Sequence, residues 1–424
     1  MKKILILSTI GILMGACAND EPAHEAFDHE AENKTGVEAI LMSSDEAIEI
    51  AEKSYANFYG KLRTPKSRDS YSKPVAITQT HSRATEGDTI AYIVNFPNNE
   101  GYAIIRAFKN SMSPVLAVVE DGFLGGIDEI TVPAQKEYIQ TMLSTNDIAT
   151  NDVISRGGSA VITPVTEEKY EIDTLYSHRY GVVSELKWGQ GSAFGAYCDN
   201  GLCGCFPLAT LFVMAHYEEA AEMKINFTNK KAPSVNTVIH PDWKNIKRYG
   251  KPYDGYWNMP TQESITNIGL IARQIGAYAK SEYKGWDGGK DTTTSTSESN
   301  AIAALKTIFP QKSVSGWSSY DKTGIAEGLK YAPVIMSGQG SAGGHAWVAE
   351  AYEHSQVQVK YYTREYMHLF WTLVSTTYRE EEYMYFNWGW YGTGDGYYNV
   401  RFAESFTPSG THTEYKKLKY VTIK

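Results

Sequence analysis

Gly204-Cys205-Phe206-Pro207-Leu208-Ala209 opens an apolar stretch that runs through Met214. Leu208, Leu211, Phe212 and Ala215 recur at helical spacing, so 207–219 is predicted as a helix. Pro207 suits the first turn, where a missing N–H leaves nothing unpaired. Cys205 therefore stands at or just before the helix N-terminus. There the unpaired N–H groups and the dipole favour an anion. They draw a thiol below its ordinary value of about 8.5, toward the thiolate that attacks carbonyl carbon. The same N–H groups can stabilise an oxyanion on a substrate. Alone, a free cysteine is more often a small buried hydrophobe, so the reading depends on finding it a base. Cys203 is the rival thiol, but it precedes the helix by several residues and gains less from the dipole.

His345 is the base that fits. It follows Gly343-Gly344, which let backbone and substrate approach closely, and it precedes the strand-like Ala346-Trp347-Val348-Ala349. His216 lies on the cysteine's own helix, about 16 Å along the axis. His354 would be about 30 Å beyond His345 on a straight strand. A histidine base works better when a third group fixes its tautomer and ring. Asn387, in Asn387-Trp388-Gly389-Trp390, is the candidate. Asp395 is its rival, but it sits in Tyr391-Gly392-Thr393-Gly394-Asp395-Gly396, which reads as a turn. Trp388 and Trp390 shield such a pair from water or serve as core aromatics. Gln190, in Leu186-Lys187-Trp188-Gly189-Gln190-Gly191, is by itself a surface residue. Cys198, Cys203 and Cys205 form no paired zinc knuckles, and no second cluster completes a four-ligand set, so no metal is expected. A Cys198–Cys203 disulfide suits an exported protein, but spacing does not show one.

Four blocks in this order resemble the streptopain family of bacterial papain-like cysteine peptidases, which are made as zymogens. They are Trp-Gly-Gln (188–190), Gly-Cys-x-x-x-Ala-Thr (204–210), Pro-Val with Gly-Gly-His-Ala-x-Val (333–348), and Asn-Trp-Gly-Trp-x-Gly-x-x-Asp-Gly-Tyr (387–397). The resemblance runs from about Gly181 to the C-terminus. It implies an α+β fold: a papain-like two-part catalytic domain, helical part plus antiparallel sheet part, preceded by a smaller α+β propeptide domain. It also implies Cys205 as nucleophile, His345 as acid and base, Gln190 as oxyanion donor and Asn387 as the orienting residue. Trp388, Gly344 and Trp390 would form the wall around them. Ser192-Ala193-Phe194 after the glutamine and Cys203 beside the nucleophile depart from the family pattern, which bears on substrate preference.

The 424 residues can hold more than one domain and a large core. A formal charge of −9, with no lysine- or arginine-rich block, argues against nucleic acid as a partner. Residues 1–16 read as a lipoprotein signal peptide: basic Lys2-Lys3, apolar Ile4 to Met14, then Gly15-Ala16 before Cys17. Cys17 would carry lipid and hold the chain at a membrane, and 17–35 would be a polar tether. That places the protein at the outer membrane or cell surface, or secreted after processing.

Residues 36–145 read as an inhibitory propeptide-like domain. Ser43-Ser44-Asp45-Glu46 is a capping signature. A helix follows with Ala47, Ile48, Ala51, Tyr55 and Phe58 on one face, ending at Gly60. Residues 61–87 are polar and expected to be loose. Strands are expected over 91–96, 102–106 and 115–119, and a helix over 133–143. The pattern of 92–105 is similar to the streptopain-family propeptide. Residues 146–174 read as an exposed activation linker, and 175–424 as the peptidase domain. Within the latter, 261–279 is expected to be a helix, and 291–300 a loop lining the substrate groove. The expected activity is that of an exported cysteine endopeptidase acting on proteins or peptides, with its own propeptide as inhibitor and no cofactor. Two other readings stay open: a catalytically silent surface-binding lipoprotein, and an acyl transferase using the same Cys/His pair.

Overall fold

The computed structural model describes residues 41–60, 72–79, 88–109, 111, 113–144, 166–230, 234–250, 259–285, 292–340, 343–365, 370–401 and 416–424. The expected signal, Cys17, the tether and most of the expected linker lie outside these residues. Helix α1 (Ser44–Tyr59) starts where its cap predicts. The Ser43 N–H donates to Glu46 Oε2 at 2.8 Å and the Glu46 N–H to Ser43 Oγ at 3.3 Å. Its buried face is Ala47, Ile48, Ala51, Tyr55 and Phe58. Strands β1 (Val75–Gln79), β2 (Asp88–Asn95), β3 (Tyr102–Arg106) and β4 (Val115–Val119) form an antiparallel run, followed by helix α2 (Pro133–Ser144). The 61–87 stretch expected to be loose thus contributes β1, a short strand with little burial and hence a weak sequence signal.

Strand β5 (Thr166–Gly181) follows, so 166–174, read as linker, is strand in this structure. Helices α3 (Ser192–Gly195) and α4 (Cys205–Tyr217) lead to the hairpin β6 (Met223–Phe227) and β7 (Val235–Ile239), then α5 (Trp243–Ile246) and α6 (Gln262–Tyr278). The expected loop at 291–300 is, where described, a short strand β9 (Thr293–Ser295) paired with β8 (Glu282–Lys284), then the start of α7 (Glu298–Ile308). Ser297 caps α7 by accepting the Asn300 N–H. The chain closes with β10 (Ser318–Ser319), α8 (Lys322–Leu329), β11 (Val334–Gly340), β12 (Gly343–Glu365), β13 (Thr372–Asn387), β14 (Gly396–Asn399) and β15 (Lys416–Val421).

The fold is α+β, built on one antiparallel sheet in the order β1-β2-β3-β4-β14-β13-β12-β11-β15-β10, with β5 on β12. Side-chain alternation gives each strand two faces. On one face Ile335, Ala346, Val348 and Val421 pack against the buried helix α4, with α6 and α7 behind it. On the other, Trp347, Phe386, Trp388 and Tyr398 join Ile93, Ile104 and Val119 under helix α2. Residues 39–424 form one unit, so the parts expected as separate domains share a sheet and a hydrophobic core. Helix α1 binds across the same boundary, because Phe58 stacks on Tyr397 at 4.5 Å and meets Tyr383 edge-on at 4.9 Å. Phe58→Ala opens a cavity there and is expected to lower stability by about 3–5 kcal/mol. Denaturant unfolding of the full-length chain followed by tryptophan fluorescence checks this.

Candidate active site

Cys205 is the first residue of α4, and a glycine sets its position. Gly204 has φ +97°, and a Cβ there would come within 2.7 Å of Thr294 Cγ2. Only glycine fits both the backbone and the space. The thiol is half-buried, and burial alone would raise its pKa. The hydrogen bond and charge of His345, aided by the N–H groups of Ala346 and Phe206, outweigh that and bring the thiol below its ordinary value. The neighbouring thiols go the other way. Burial pushes Cys198 up to about 12, and Cys203 well above the usual thiol range. Both are free thiols, with no disulfide between them. Cys205 is thus the one of the three whose surroundings favour thiolate.

His345 stands at the start of β12, opposite Gly338 of β11. Its Nε2 lies 2.9 Å from the Trp388 carbonyl oxygen. A carbonyl can only accept, so Nε2 carries a proton, and Nδ1 is left to face the thiol as the basic nitrogen. The ring also stacks parallel to Trp347, with centroids 6.1 Å apart.

Asn387 takes a different position from the one the resemblance implies. Among the described residues, the Nε2 partner is the Trp388 carbonyl, not the Asn387 amide. The Asn387 Nδ2 donates to the Leu186 carbonyl at 2.9 Å, and its Oδ1 accepts the Gly389 N–H at 3.1 Å. That N–H and the Trp388 carbonyl belong to one peptide unit. Asn387 therefore holds, from behind, the peptide that holds His345. The turn in the chain accounts for this. Gly389, at φ +72°, reverses the backbone after Asn387 and presents a carbonyl where a side chain was expected.

The remaining predicted residues divide. Gly344 lines the pocket that contains Cys205 and His345, a space of about 530 Å3. Its other walls include Thr294, Ser295, Thr296, Glu298, Trp317 and Gln339, so the 291–300 segment borders the groove as expected. Trp388 and Trp390 are not among its lining residues. The strand buries the Trp388 indole completely, 5.0 Å from Trp347 and 5.3 Å from Phe386, and leaves its backbone to serve the site. Trp390 is half-buried and bridges to Gly189. That bridge and the Gly191 N–H donating to Tyr391 Oη at 3.0 Å tie the glutamine loop to the 387–391 turn. The Gln190 carbonyl accepts the Cys203 N–H at 2.9 Å, which seats Gln190 beside the segment leading to the nucleophile. No described residue of 41–144 lines the pocket.

Sequence reasoning weighed Asp395 as the rival of Asn387 and set it aside as a turn residue, and it did not single out Glu350. Asp395 is in a turn, as read, but it is fully buried there and its Oδ1 accepts the Trp388 N–H at 2.9 Å. Glu350 is buried too, receiving the Ser184 N–H at 2.8 Å and hydroxyl at 2.7 Å. Burial raises its carboxyl pKa against those bonds, Lys187 and Asn387. The signal available was the Gly394-Asp395-Gly396 spacing after the tryptophan block, which carries no mark of burial.

A cysteine lowered by an imidazole at a helix N-terminus, facing an antiparallel sheet, is the arrangement that a cysteine peptidase requires. Residues 188–398 match the model of the Peptidase C10 family, and the chain belongs to that family. A search of curated proteins gave no match. Among solved structures, a mutant fragment of prointerpain A from Prevotella intermedia is similar, with 17% identity, 83% of this chain and 98% of that chain covered, and a TM-score of 0.47.

The opposed shifts of the three thiols predict selective chemistry. Iodoacetamide at pH 6–7 should modify Cys205 and leave Cys198 and Cys203 untouched. His345→Ala removes the bond and charge but keeps the burial, so the Cys205 thiol rises and its alkylation at pH 6 should slow by about tenfold or more. Peptide mapping of the alkylated chain by mass spectrometry reads both.

Proposed function

We propose that this peptidase is an exported, lipid-anchored cysteine endopeptidase made as a zymogen, with Cys205 as nucleophile and His345 as acid and base. The observation that carries the reading is the Cys205 thiol at the start of α4, lowered by a histidine whose far nitrogen is fixed by a carbonyl. The thiolate sulfur attacks the scissile carbonyl carbon. The resulting oxyanion is met by the Cys205 N–H at the helix N-terminus and by the Gln190 side chain. The imidazolium gives its Nδ1 proton to the leaving amine, the C–N bond breaks and a thioester remains. Neutral His345 then takes a proton from water as hydroxide adds to the thioester. The C–S bond breaks, the acid leaves, and the thiolate–imidazolium pair returns. No cofactor enters these steps.

Residues 36–145 are assigned as the propeptide and 146–174 as the segment cut on activation. Two observations support a precursor whose N-terminal part is built into the sheet that carries the site. The N-terminal strands continue the sheet through β4 and β14, and the Glu120 N–H donates to the Asp395 carbonyl at 3.2 Å. The sequence at 1–17 supports export and lipid attachment at Cys17, with the protein held at the outer membrane or cell surface or released after processing.

Cys205→Ala should abolish hydrolysis of a fluorogenic casein while the chain keeps its unfolding midpoint; Cys203→Ser should retain most activity. The unmodified chain should gain activity as it is cut within 146–174, located by N-terminal sequencing of the active form. Full activity from the uncut chain would remove the zymogen, and a Cys205→Ala chain as active as the parent would remove the nucleophile.

Labelling of the native host with a fatty-acid analogue should mark the protein and leave the Cys17→Ala variant unmarked. At least two acyl chains are expected, because one alone gives only marginal, reversible membrane binding. Label retained by the variant would reduce 1–17 to an ordinary secretory signal.

A further inference from the structure

We infer that Asp395 is a positioning residue for His345, acting through the Trp388 backbone, and that its negative charge, not only its shape, supports the imidazolium. The inference rests on the Cys205–His345 reading and deepens it. Asp395 Oδ1 accepts the Trp388 N–H at 2.9 Å, and the Trp388 carbonyl lies 2.9 Å from His345 Nε2. With Asn387 Oδ1 on the Gly389 N–H at 3.1 Å, Trp388 is pinned on both sides. The turn that carries Asp395 is itself pinned. The Tyr398 hydroxyl donates to the Gly394 carbonyl, and the Gln135 amide of α2 donates to Tyr398 Oη at 2.8 Å.

Holding an N–H needs only a neutral oxygen, which an asparagine supplies. Asp395 instead buries a carboxyl whose Oδ2 has no hydrogen-bond partner among the described residues. An unpaired buried acid costs stability and calls for a reason. Lys187 is the cation facing it; its charge pulls the carboxyl down and offsets part of the cost, while the burial of Lys187 itself weakens that cation. Glu350 and the buried tyrosines Tyr59, Tyr385 and Tyr398 also face the carboxyl, and none of these supplies a positive charge. The hydrogen bond to the Trp388 N–H, and the Trp388 carbonyl on His345 Nε2, carry what is left of that charge toward the imidazole. A negative charge there favours imidazolium, the form that must protonate the leaving amine.

Burial pushes the Asp395 carboxyl up to about 7 against the pull of Lys187 and the Trp388 N–H. The charge is therefore absent at pH 6 and present above pH 7. The test compares kcat/KM from pH 6 to pH 9.5 for the parent, Asp395→Asn and Asp395→Ala. The full-length chain is used after its activating cut, with active sites counted by an epoxide thiol probe. Asp395→Asn keeps an acceptor for the Trp388 N–H, so it should match the parent at pH 6. It should fall about tenfold or more behind by pH 8.5, mostly in kcat, with its basic limb moved to lower pH. A carboxyl raised in the fold contributes stability fully at low pH and loses it as pH rises from about 4 to about 7. Asp395→Asn should therefore raise the melting temperature at pH 8.5 and leave it little changed at pH 4. Asp395→Ala should lose activity at every pH, and if it fails to fold, the asparagine variant carries the test alone. An Asp395→Asn to parent ratio that stays constant across pH would overturn the inference while leaving the dyad intact. Undiminished hydrolysis by Cys205→Ala would instead take down the dyad, and this inference with it.

Discussion

The register between β12 and β13 is the constraint on which the site rests. Val348 pairs with Asn387, so the chain leaving β13 must turn directly beneath the start of β12, where His345 stands. A slip of one residue would send Trp347 and Phe386 to the wrong face and withdraw the Trp388 carbonyl from the imidazole. Burial holds that register. Trp347, Phe386 and Trp388 are packed into one aromatic cluster with Tyr398 and Tyr138, and a one-residue slip would turn strand members of it out of the core.

The site divides its work between backbone and side chains. In the proposed mechanism side chains supply what reacts, the Cys205 sulfur and the His345 ring. Backbone supplies what must stay fixed: the Trp388 carbonyl, the N–H groups of Ala346 and Phe206, and the N-terminus of α4. A carbonyl on a packed turn has no rotamers to lose, so it orients the base without the entropy that a free side chain would give up. Asn387, Asp395 and Glu350 sit one layer back and brace that backbone.

What could be read in the sequence was whatever leaves a local mark. Helix α1 shows its cap, its buried face and its terminal glycine in order, and the structure has all three. Strands β2 to β4 alternate or run apolar between turn residues, and they form. The Cys205 helix start and the Gly-Gly-His strand start were equally local. Strand β5 was not legible, because it lies along β12 with an exposed outer face and carries no apolar alternation. Asp395 was not legible either, since a turn aspartate in water and one under an aromatic layer have the same neighbours in sequence. The route from Asn387 to His345 depends on a single positive φ at Gly389, which decides whether a side chain or a carbonyl faces the ring.

The pairing of β4 with β14 brings together residues made at opposite ends of synthesis. The Asn399 amide reaches the Val115 carbonyl across 284 positions. Contacts of such range close late and slowly, since the intervening chain must first give up its freedom. The middle of the sheet therefore cannot form until nearly the whole polypeptide is available. A chain still emerging from a ribosome lacks β14 and β15, and so lacks the turn that holds its histidine. Late closure of the fold would itself keep the thiol without its base during synthesis, before any segment needs to cover it.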